Sequence, residues 1–505
     1  MPDKPPRLSV GRKGFIDKHG LWGDTERHAA KEAVKRAAAE ELTTIRFAVP
    51  DQHGIIRGKT LAARLFPQAL ANGIDFPVAP WIFDTANAIV FDPFVEGGGF
   101  GMEEMTGDPN CILVPDPTTF TVLPWAPKTG WIICEMFFPS GQPFPFDARR
   151  IFRNALSQAR TAGFTYVTGL EVEWYLTRMV DNMLGGQELG APGNPAPAPI
   201  VTPAAHGFQY LLEDHSDEID DILQALLRTM TDLGLPIRSL EDEWGPGQVE
   251  MSFDPIDGIH SADAMILFRA ATKQVCRRLG FHASFMCKPK LPGAYSSGWH
   301  LHQSLASAES GANLFAADGP PGPLSDVGKH YVGGLLKHAR GASVFTTPSI
   351  NGYRRVKPHS LAPTGATWAV DNRAAMIRVQ GRVGDPGSHI ENRSGEPTAN
   401  PYLYMASQLI AGLDGIESKA DPGPLRGEPY AAAGVAKLPT SLREAVEALG
   451  ADKLYRARMG DRFIDYMVTM KMSEVKRFET YLKENQSANS DEVTDWEQRE
   501  YFRLF

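Results

Sequence analysis

The stretch Gly169-Leu170-Glu171-Val172-Glu173-Trp174-Tyr175-Leu176 decides how the rest of the chain is read. Leu170, Val172, Trp174 and Leu176 alternate with Glu171, Glu173 and Tyr175, the period-two pattern of a strand with two unlike faces. At about 3.3 Å rise per residue, the two acids on one face stand roughly 6–7 Å apart. Like charges that close are costly to bury unless cations neutralise them. A lone Glu-x-Glu is most simply a solvated strand face. Here the two-residue spacing recurs as Gln248/Glu250, His300/His302/Ser304 and Glu391/Arg393, each in an apolar, strand-like context. Several strands that each aim hard-cation or phosphate ligands to one side read as staves of a single lined cavity.

A chain of 505 residues with 43% hydrophobic and 22% charged residues has room for two or more domains and a large core. Its net charge of −9 argues against nucleic acid or an anionic membrane as the principal partner. Cys111, Cys134, Cys276 and Cys287 are too few and too scattered for a disulfide framework or a zinc knuckle, and read as core thiols of a reducing compartment. No run of about 18 apolar residues would span a membrane, and the N-terminus has no apolar core of a secretory signal. The expected location is cytoplasmic.

Along the chain, residues 1–24 are rich in Pro, Gly and Lys and read as a loose lead-in. An Ala-rich helix is expected from Thr25 to Leu42, then short strands at Thr44–Pro50, Gly54–Leu61, Cys111–Val114, Phe120–Leu123 and Trp131–Phe138. The segment from Gly141 to Phe146 is the expected boundary between a domain over 25–142 and a second over 143–505. Asp147 is read as the cap of a helix ending at Gly163, Ser216 as the cap of one through Leu233, and Ser261 as the cap of one through Leu279. Gly185–Pro203 reads as a long surface loop, Arg443–Leu449 as a helix, and Lys453–Asn485 as one long polar-faced run. Strands alternating with helices from 147 onward indicate an α/β or α+β fold.

The chemistry-bearing residues form a consistent inventory. Glu171, Glu173, Glu243, Glu250 and Glu391 lie near apolar strands with His300, and hard oxygen donors plus one imidazole suit Mg²⁺ or Mn²⁺ better than zinc. Six ligands divide naturally over two ions. Arg355, Arg373, Arg378 and Arg393 offer bidentate donors for phosphate and carboxylate. Two divalent cations with an arginine cluster imply phosphoryl transfer. Neither a P-loop nor a kinase glycine loop is present in the sequence.

Six blocks follow one another along the chain: G-L-E-V-E at 169–173, E-W-G-P-G-Q-V-E at 243–250, S-G-W-H-L-H-Q-S at 297–304, N-G-Y-R-R-V-K-P at 351–358, W-A-V-D-N-R-A-A-M-I-R at 368–378 and E-N-R-S-G-E-P-T-A-N-P-Y-L at 391–403. In these blocks the chain resembles the glutamine synthetase superfamily, from about residue 36 to the C-terminus. The resemblance implies an α+β fold, with a small N-terminal β-grasp-like domain and a larger C-terminal α/β catalytic domain whose antiparallel strands line a funnel. It implies that Glu173, Glu243 and Glu250 hold one metal, and that Glu171, His300 and Glu391 hold a second beside the phosphates. Arg355 and Arg393 would grip the glutamate carboxylate, Arg373 would steady the transferring phosphoryl group, and Arg378 would meet the nucleotide phosphates. His302 and Ser304 would lie at the nucleotide; the alternative for His302 is a partner orienting His300, and for Arg378 a surface or intersubunit ion pair. ATP is the implied co-substrate, and a homo-oligomer of two stacked rings, usually a dodecamer, the implied assembly.

The departures bear on the substrate. Leu361, in the flap Pro358–Pro363, stands where ammonium-using members keep an acid, and Gly73–Pro80 carries apolar groups where they have Asp and Ser. Tyr295-Ser296 replaces the family's Asn-Gly at the amino end of glutamate, upstream of Gly298, and Trp299 replaces a Met. Losing these anions removes both the attraction for ammonium and the base that deprotonates it, while an apolar pocket accepts an organic substituent at about 0.8 kcal/mol per methylene. The expected activity is therefore ATP-dependent ligation of glutamate to an alkylamine or arylamine through a γ-glutamyl phosphate. Two rivals stand beside it: glutamine synthetase proper, with Asp75 as base, and a non-catalytic relative with an assembly or regulatory role.

Overall fold

A computed structural model describes residues 14–185, 189–317, 319, 322, 324–485 and 492–505. In it, the Gly169–Leu176 stretch lies within a single 18-residue strand. Sixteen strands are described, in two sheets. The first contains β1 (Thr44–Pro50), β2 (Ile56–Ala62), β3 (Ile74–Pro77), β4 (Asn110–Pro115), β5 (Thr121–Val122) and β6 (Thr129–Phe137). Its order is β2-β1-β6-β4-β3, with β5 also on β6, and only the β1–β6 pair is parallel.

The second sheet contains β7 (Phe164–Asp181), β8 (Ile200–Pro203), β9 (Ile237–Asp242), β10 (Gln248–Phe253), β11 (Ile256–Asp257), β12 (Phe281–Ser284), β13 (Trp299–Ser307), β14 (Trp368–Val370), β15 (Ile377–Gln380) and β16 (His389–Asn392). It runs β14-β15-β16-β13-β7-β10-β9, with β8, β11 and β12 also on β7; all its pairs are antiparallel except β14–β15. Register sets the site. Glu250 lies opposite Glu173, His300 opposite Glu171, His302 opposite Glu391, and Glu391 opposite Arg378. Directly opposed residues share a face, so spacings far apart in sequence become neighbours on one surface. A slip of one residue would turn this whole set into the core.

On the other face of β7, Leu170, Val172, Trp174 and Leu176 are fully buried, each contributing about 1.5–3 kcal/mol of apolar burial. Helices Ala148–Thr161, Ile259–Arg278 and Pro401–Ser418 pack together behind this sheet. Asp147 caps the first as expected, its Oδ1 accepting from the backbone N–H groups of Arg149 and Arg150. All four cysteines are buried and free. Among the described residues, no helix is long and apolar enough to cross a membrane.

Several local expectations need correction. Ser261 does not cap its helix, which starts two residues earlier at Ile259 after Gly258 at φ +55°; the buried Ser261 hydroxyl instead meets that of Thr168 on β7. Ser216 sits inside a short helix, Glu213–Glu218, that Ile219 separates from a second at Asp220–Asp232. The 185–203 segment is not all loop, since Ile200–Pro203 pairs with β7; residues 186–188 fall outside the described residues. Gly460 at φ +94° divides the run from 453 into helices Lys453–Met459 and Asp461–Glu484. Part of the expected loose lead-in is ordered: Phe15–His19 is a helix whose buried Ile16 packs on Val114 and Phe137, while residues 1–13 lie outside the described residues.

Candidate active site

An open cavity of about 610 Å³ lies over the ligand face of β7, β10 and β13. Every residue expected at the site lines it except Gly298, Glu391 and Ser304. Glu391 is fully buried just beneath, with Oε1 3.6 Å from Nδ1 of His300. Ser304 lines an adjoining cavity of about 500 Å³, and the two cavities share Glu171, His302 and Gln380. Asp75 is exposed on β3 and lines neither cavity of its own chain.

The acids are arranged as a cation site would require. The Glu250 side chain is buried yet has no hydrogen-bond or ion-pair partner among the described residues. Burial, followed by the charges of Glu171, Glu173 and Glu243, pushes its carboxyl up to about 11. Burial and Glu173 push Glu243 up to about 8, and burial takes Glu173 up to about 7 against the pull of Arg355. Such repulsion is what a bound divalent cation relieves. His300 is pushed down to about 4, by burial and then by Arg393, leaving the neutral imidazole that ligates metals. At Glu171, burial opposes ionisation, but hydrogen bonds with His300 and His302 prevail and hold the carboxyl well below its usual range. Its Oε1 lies 2.6 Å from His300 Nδ1 and its Oε2 3.1 Å from His302 Nε2.

Ligand atoms converge within 4.8 Å in two groups, Glu171/Glu250/His300 and Glu171/His302/Glu391. This differs from the expected division. Glu173 and Glu243 face the same cavity but join neither group; His302 stands at the acids as well as between the two cavities. The donor set of carboxylates with imidazole fits Mg²⁺ or Mn²⁺.

The four arginines occupy different situations. Arg355 is buried, donating to the carbonyls of Arg393 (2.8 Å) and Gly395 (3.3 Å), with Nη2 3.0 Å from His300 Nε2. Arg393 pairs with Glu391 and donates through Nε to the carbonyl of Arg373. Arg378 pairs with both Asp371 and Glu391. The Arg373 side chain is exposed at the cavity and has no hydrogen bond or ion pair among the described residues, so it is available to an anion.

Gly298 has a steric role: a Cβ there would come within 2.7 Å of both Arg355 Nη2 and His300 Nε2. Its carbonyl accepts from the Glu173 N–H at 3.0 Å. Tyr295 is clamped by the Tyr175 hydroxyl, which accepts from its N–H (2.8 Å) and donates to its carbonyl (2.9 Å). Trp299 points away from the site, buried against Tyr404 with ring centroids 5.0 Å apart. Its substitution is therefore a change of core.

Some lining residues were not anticipated. Glu241 lies opposite Glu250 and lines the cavity; His389 lies 3.0 Å from His302 Nδ1 and lines the second cavity with Arg238 and Asn313. Both Glu241 and His389 stand two residues before an assigned acid, so the spacing rule already pointed to them. Gln248 Nε2 donates to Glu173 (3.0 Å) and to Ser297 Oγ (3.0 Å), tying β10 to the loop before β13.

A sheet face of acids and imidazoles, ringed by guanidinium groups and open to a double cavity, defines a phosphoryl-handling enzyme. The chain belongs to the glutamine synthetase family, whose catalytic domain matches residues 145–490. Among its relatives, a γ-glutamylanilide synthase of Acinetobacter sp. is 47% identical over 496 residues, covering 97% of this chain and 99% of that one. A glutamate–isopropylamine ligase of Pseudomonas sp. is 29% identical, with 92% and 95% covered, and a glutamine synthetase of Methanosarcina mazei is 31% identical, with 88% and 94% covered. Of solved structures, the ADP complex of GmaS aligns with a TM-score of 0.73 at 28% identity, covering 92% of this chain and 98% of that one.

Proposed function

We propose that the chain is an ATP-dependent ligase that joins the γ-carboxylate of glutamate to an organic amine, giving a γ-glutamylamide, ADP and phosphate. The observation that carries this reading is the composition of one cavity, which brings cation-type acids and arginines together with Leu361 and aromatic rings. The 47% identical γ-glutamylanilide synthase and the isopropylamine ligase support the organic amine, and the GmaS–ADP complex supports a nucleotide.

In this reading the second cavity, with Ser304 and His302, takes the nucleotide, and Arg378 releases Asp371 to meet its phosphates. Glu171, Glu173, Glu243, Glu250, His300 and Glu391 hold two divalent cations, with His302 close enough to Glu391 to share in the second. When bound, the cations neutralise phosphate oxygens during transfer. Arg355 and Arg393 orient the acid, and Arg373 balances the charge that builds on the transferring group. A γ-carboxylate oxygen takes the terminal phosphoryl group of ATP and ADP leaves. The amine nitrogen then attacks the carbonyl carbon, the bond to the phosphate oxygen breaks, and the proton the nitrogen loses leaves on the released phosphate. Closure of the flap around Leu361 excludes water from the acyl phosphate.

A ring-shaped homo-oligomer belongs to the same proposal. It is supported by the exposed apolar residues Ile89, Phe94 and Val95, with Phe94 81% exposed. A reducing, cytoplasmic location is supported by the four free buried thiols.

The test is phosphate release with ATP, Mg²⁺ and glutamate against a panel of aniline, alkylamines and ammonium. The best organic amine should exceed ammonium in kcat/KM by at least about tenfold, some 1.4 kcal/mol of transition-state discrimination. Equal use of ammonium would make the protein a glutamine synthetase with an unusual flap.

A further inference from the structure

Above the acids the cavity carries a set of rings that charge chemistry does not use. Tyr210 and Trp244 stack with centroids 5.5 Å apart and planes within 5°. Trp244 lies 6.0 Å from Tyr295 at 35°, and Tyr295 meets Phe208 edge-on at 6.3 Å. Leu211 and Leu361 line the same cavity as Tyr210, Trp244 and Tyr295. These six side chains are between 38% (Trp244) and 53% (Leu211) exposed, a concentration of wet apolar surface at one concave place.

The rings are fixed in position. Phe208 donates its backbone N–H to the Trp244 carbonyl at 3.0 Å, and Leu211 donates to that of Asp242 at 3.3 Å. Phe208 (φ +75°), Leu211 (φ +60°) and Leu361 (φ +58°) are non-glycine residues in the left-handed region. That conformation is strained at each, and is kept where the surroundings over-determine it, commonly at ligand clamps. Gly293 leaves the Phe208 ring its place, for a Cβ there would come within 2.5 Å of Phe208 Cζ. Tyr295 is held from both sides by the Tyr175 hydroxyl.

We infer that Tyr210, Trp244 and Tyr295, closed by Leu361, seat the aromatic ring of an arylamine, with Trp244 setting the preference for aryl over alkyl amines. This rests on the ligase reading and names the substrate class of its amine end. Three rings in a row present more π-surface than a small alkyl group can cover, and an added ring that stacks on them gains more than its burial alone. An arylamine is neutral at pH 7, so its nitrogen lone pair is free to attack without an acid to remove a proton. Leu361 supplies none.

The experiment uses the Mg²⁺-loaded full-length enzyme with ATP and glutamate, comparing aniline, isopropylamine and hydroxylamine as nucleophiles. Hydroxylamine traps the acyl phosphate as a hydroxamate and needs no aryl seat. In W244A the aniline-to-hydroxylamine ratio of kcat/KM should fall by at least about tenfold, and more than the isopropylamine-to-hydroxylamine ratio; W244F should recover most of it. If W244A does not fold, as judged by circular dichroism, Y210A on the exposed side of the stack decides by the same ratios. Unchanged ratios, or aniline and isopropylamine falling together, overturn the aryl seat while hydroxamate formation upholds the ligase. A wild-type enzyme that forms neither hydroxamate nor anilide overturns the ligase reading itself.

Discussion

At the scale of residues, Gly298 separates a positional requirement from a chemical one. Its missing Cβ is the space in which Arg355 Nη2 reaches His300 Nε2 at 3.0 Å. Gly298→Ala should therefore keep the fold, as read by far-UV circular dichroism. It should lower the glutamate-dependent rate of phosphate release about a hundredfold, the order of loss that a displacement near 1 Å causes. A variant with near-normal turnover would show that the Arg355–His300 contact does not matter for the reaction. The acids and His300 were legible because two-residue spacing survives folding as a shared face, and antiparallel register then brings the faces together. Glu241 and His389 obey the same spacing rule. Tyr210 and Trp244 had no such signal: an aromatic residue in a sequence is most simply core. Trp299 confirms that rule, while Trp244 at 38% exposure breaks it.

Among the elements, caps were legible only where the side chain had nothing better to bond. Asp147 stays local and caps its own helix, although its Oδ2 also accepts from the Met136 N–H at 2.8 Å. Ser261 spends its hydroxyl on Thr168 of β7, a tertiary partner with no trace in the local sequence. His338 is a second case. It joins helices Asp326–Lys337 and Ala339–Thr346, with Nε2 2.9 Å from Asp414 and Nδ1 3.1 Å from Asp452, and Lys337 also pairs with Asp414 at 2.8 Å. Burial opposes protonation, yet the hydrogen bonds to Asp452 and Asp414 prevail and raise its pKa above the ordinary 6.5. A raised folded pKa gives stability that is fully present below the unfolded value and is lost as pH rises through the folded one. The melting temperature should accordingly decline from pH 6 to pH 8.5, and His338→Gln should flatten that part of the slope. A mutant whose profile ran parallel to wild type across this window would remove His338 from the account.

For the molecule as a whole, the strands of the first sheet come from 44–137 and those of the second from 164–392. What local pattern could not reveal is how the C-terminus returns, because a contact across 393 positions leaves no periodic signature. Helix Asp461–Glu484 lays Tyr466 on Phe146, centroids 4.2 Å apart, and its hydroxyl donates to the Trp81 carbonyl at 2.9 Å. Two turns further on, Ser473 Oγ donates to Asp84 Oδ2 at 3.0 Å. Arg477 then donates through Nε to Asp84 (2.8 Å) and through Nη1 to Glu500 (3.0 Å), its guanidinium lying 5.3 Å from the Trp496 ring. Asp84 and Glu500 are almost completely buried, so the arginine neutralises two acids that water cannot reach. Removing it leaves an uncompensated pair, and breaking a buried ion pair from one side costs about 3–5 kcal/mol. Arg477→Met should lower the urea-unfolding midpoint by a corresponding amount. Adding Glu500→Gln should recover part of the loss, since it withdraws one of the two stranded charges, whereas independent sites would add. A single mutant within about 1 kcal/mol of wild type would mean that water or a shifted side chain satisfies both acids, and that the return of the C-terminal helix rests on the Tyr466 stack instead.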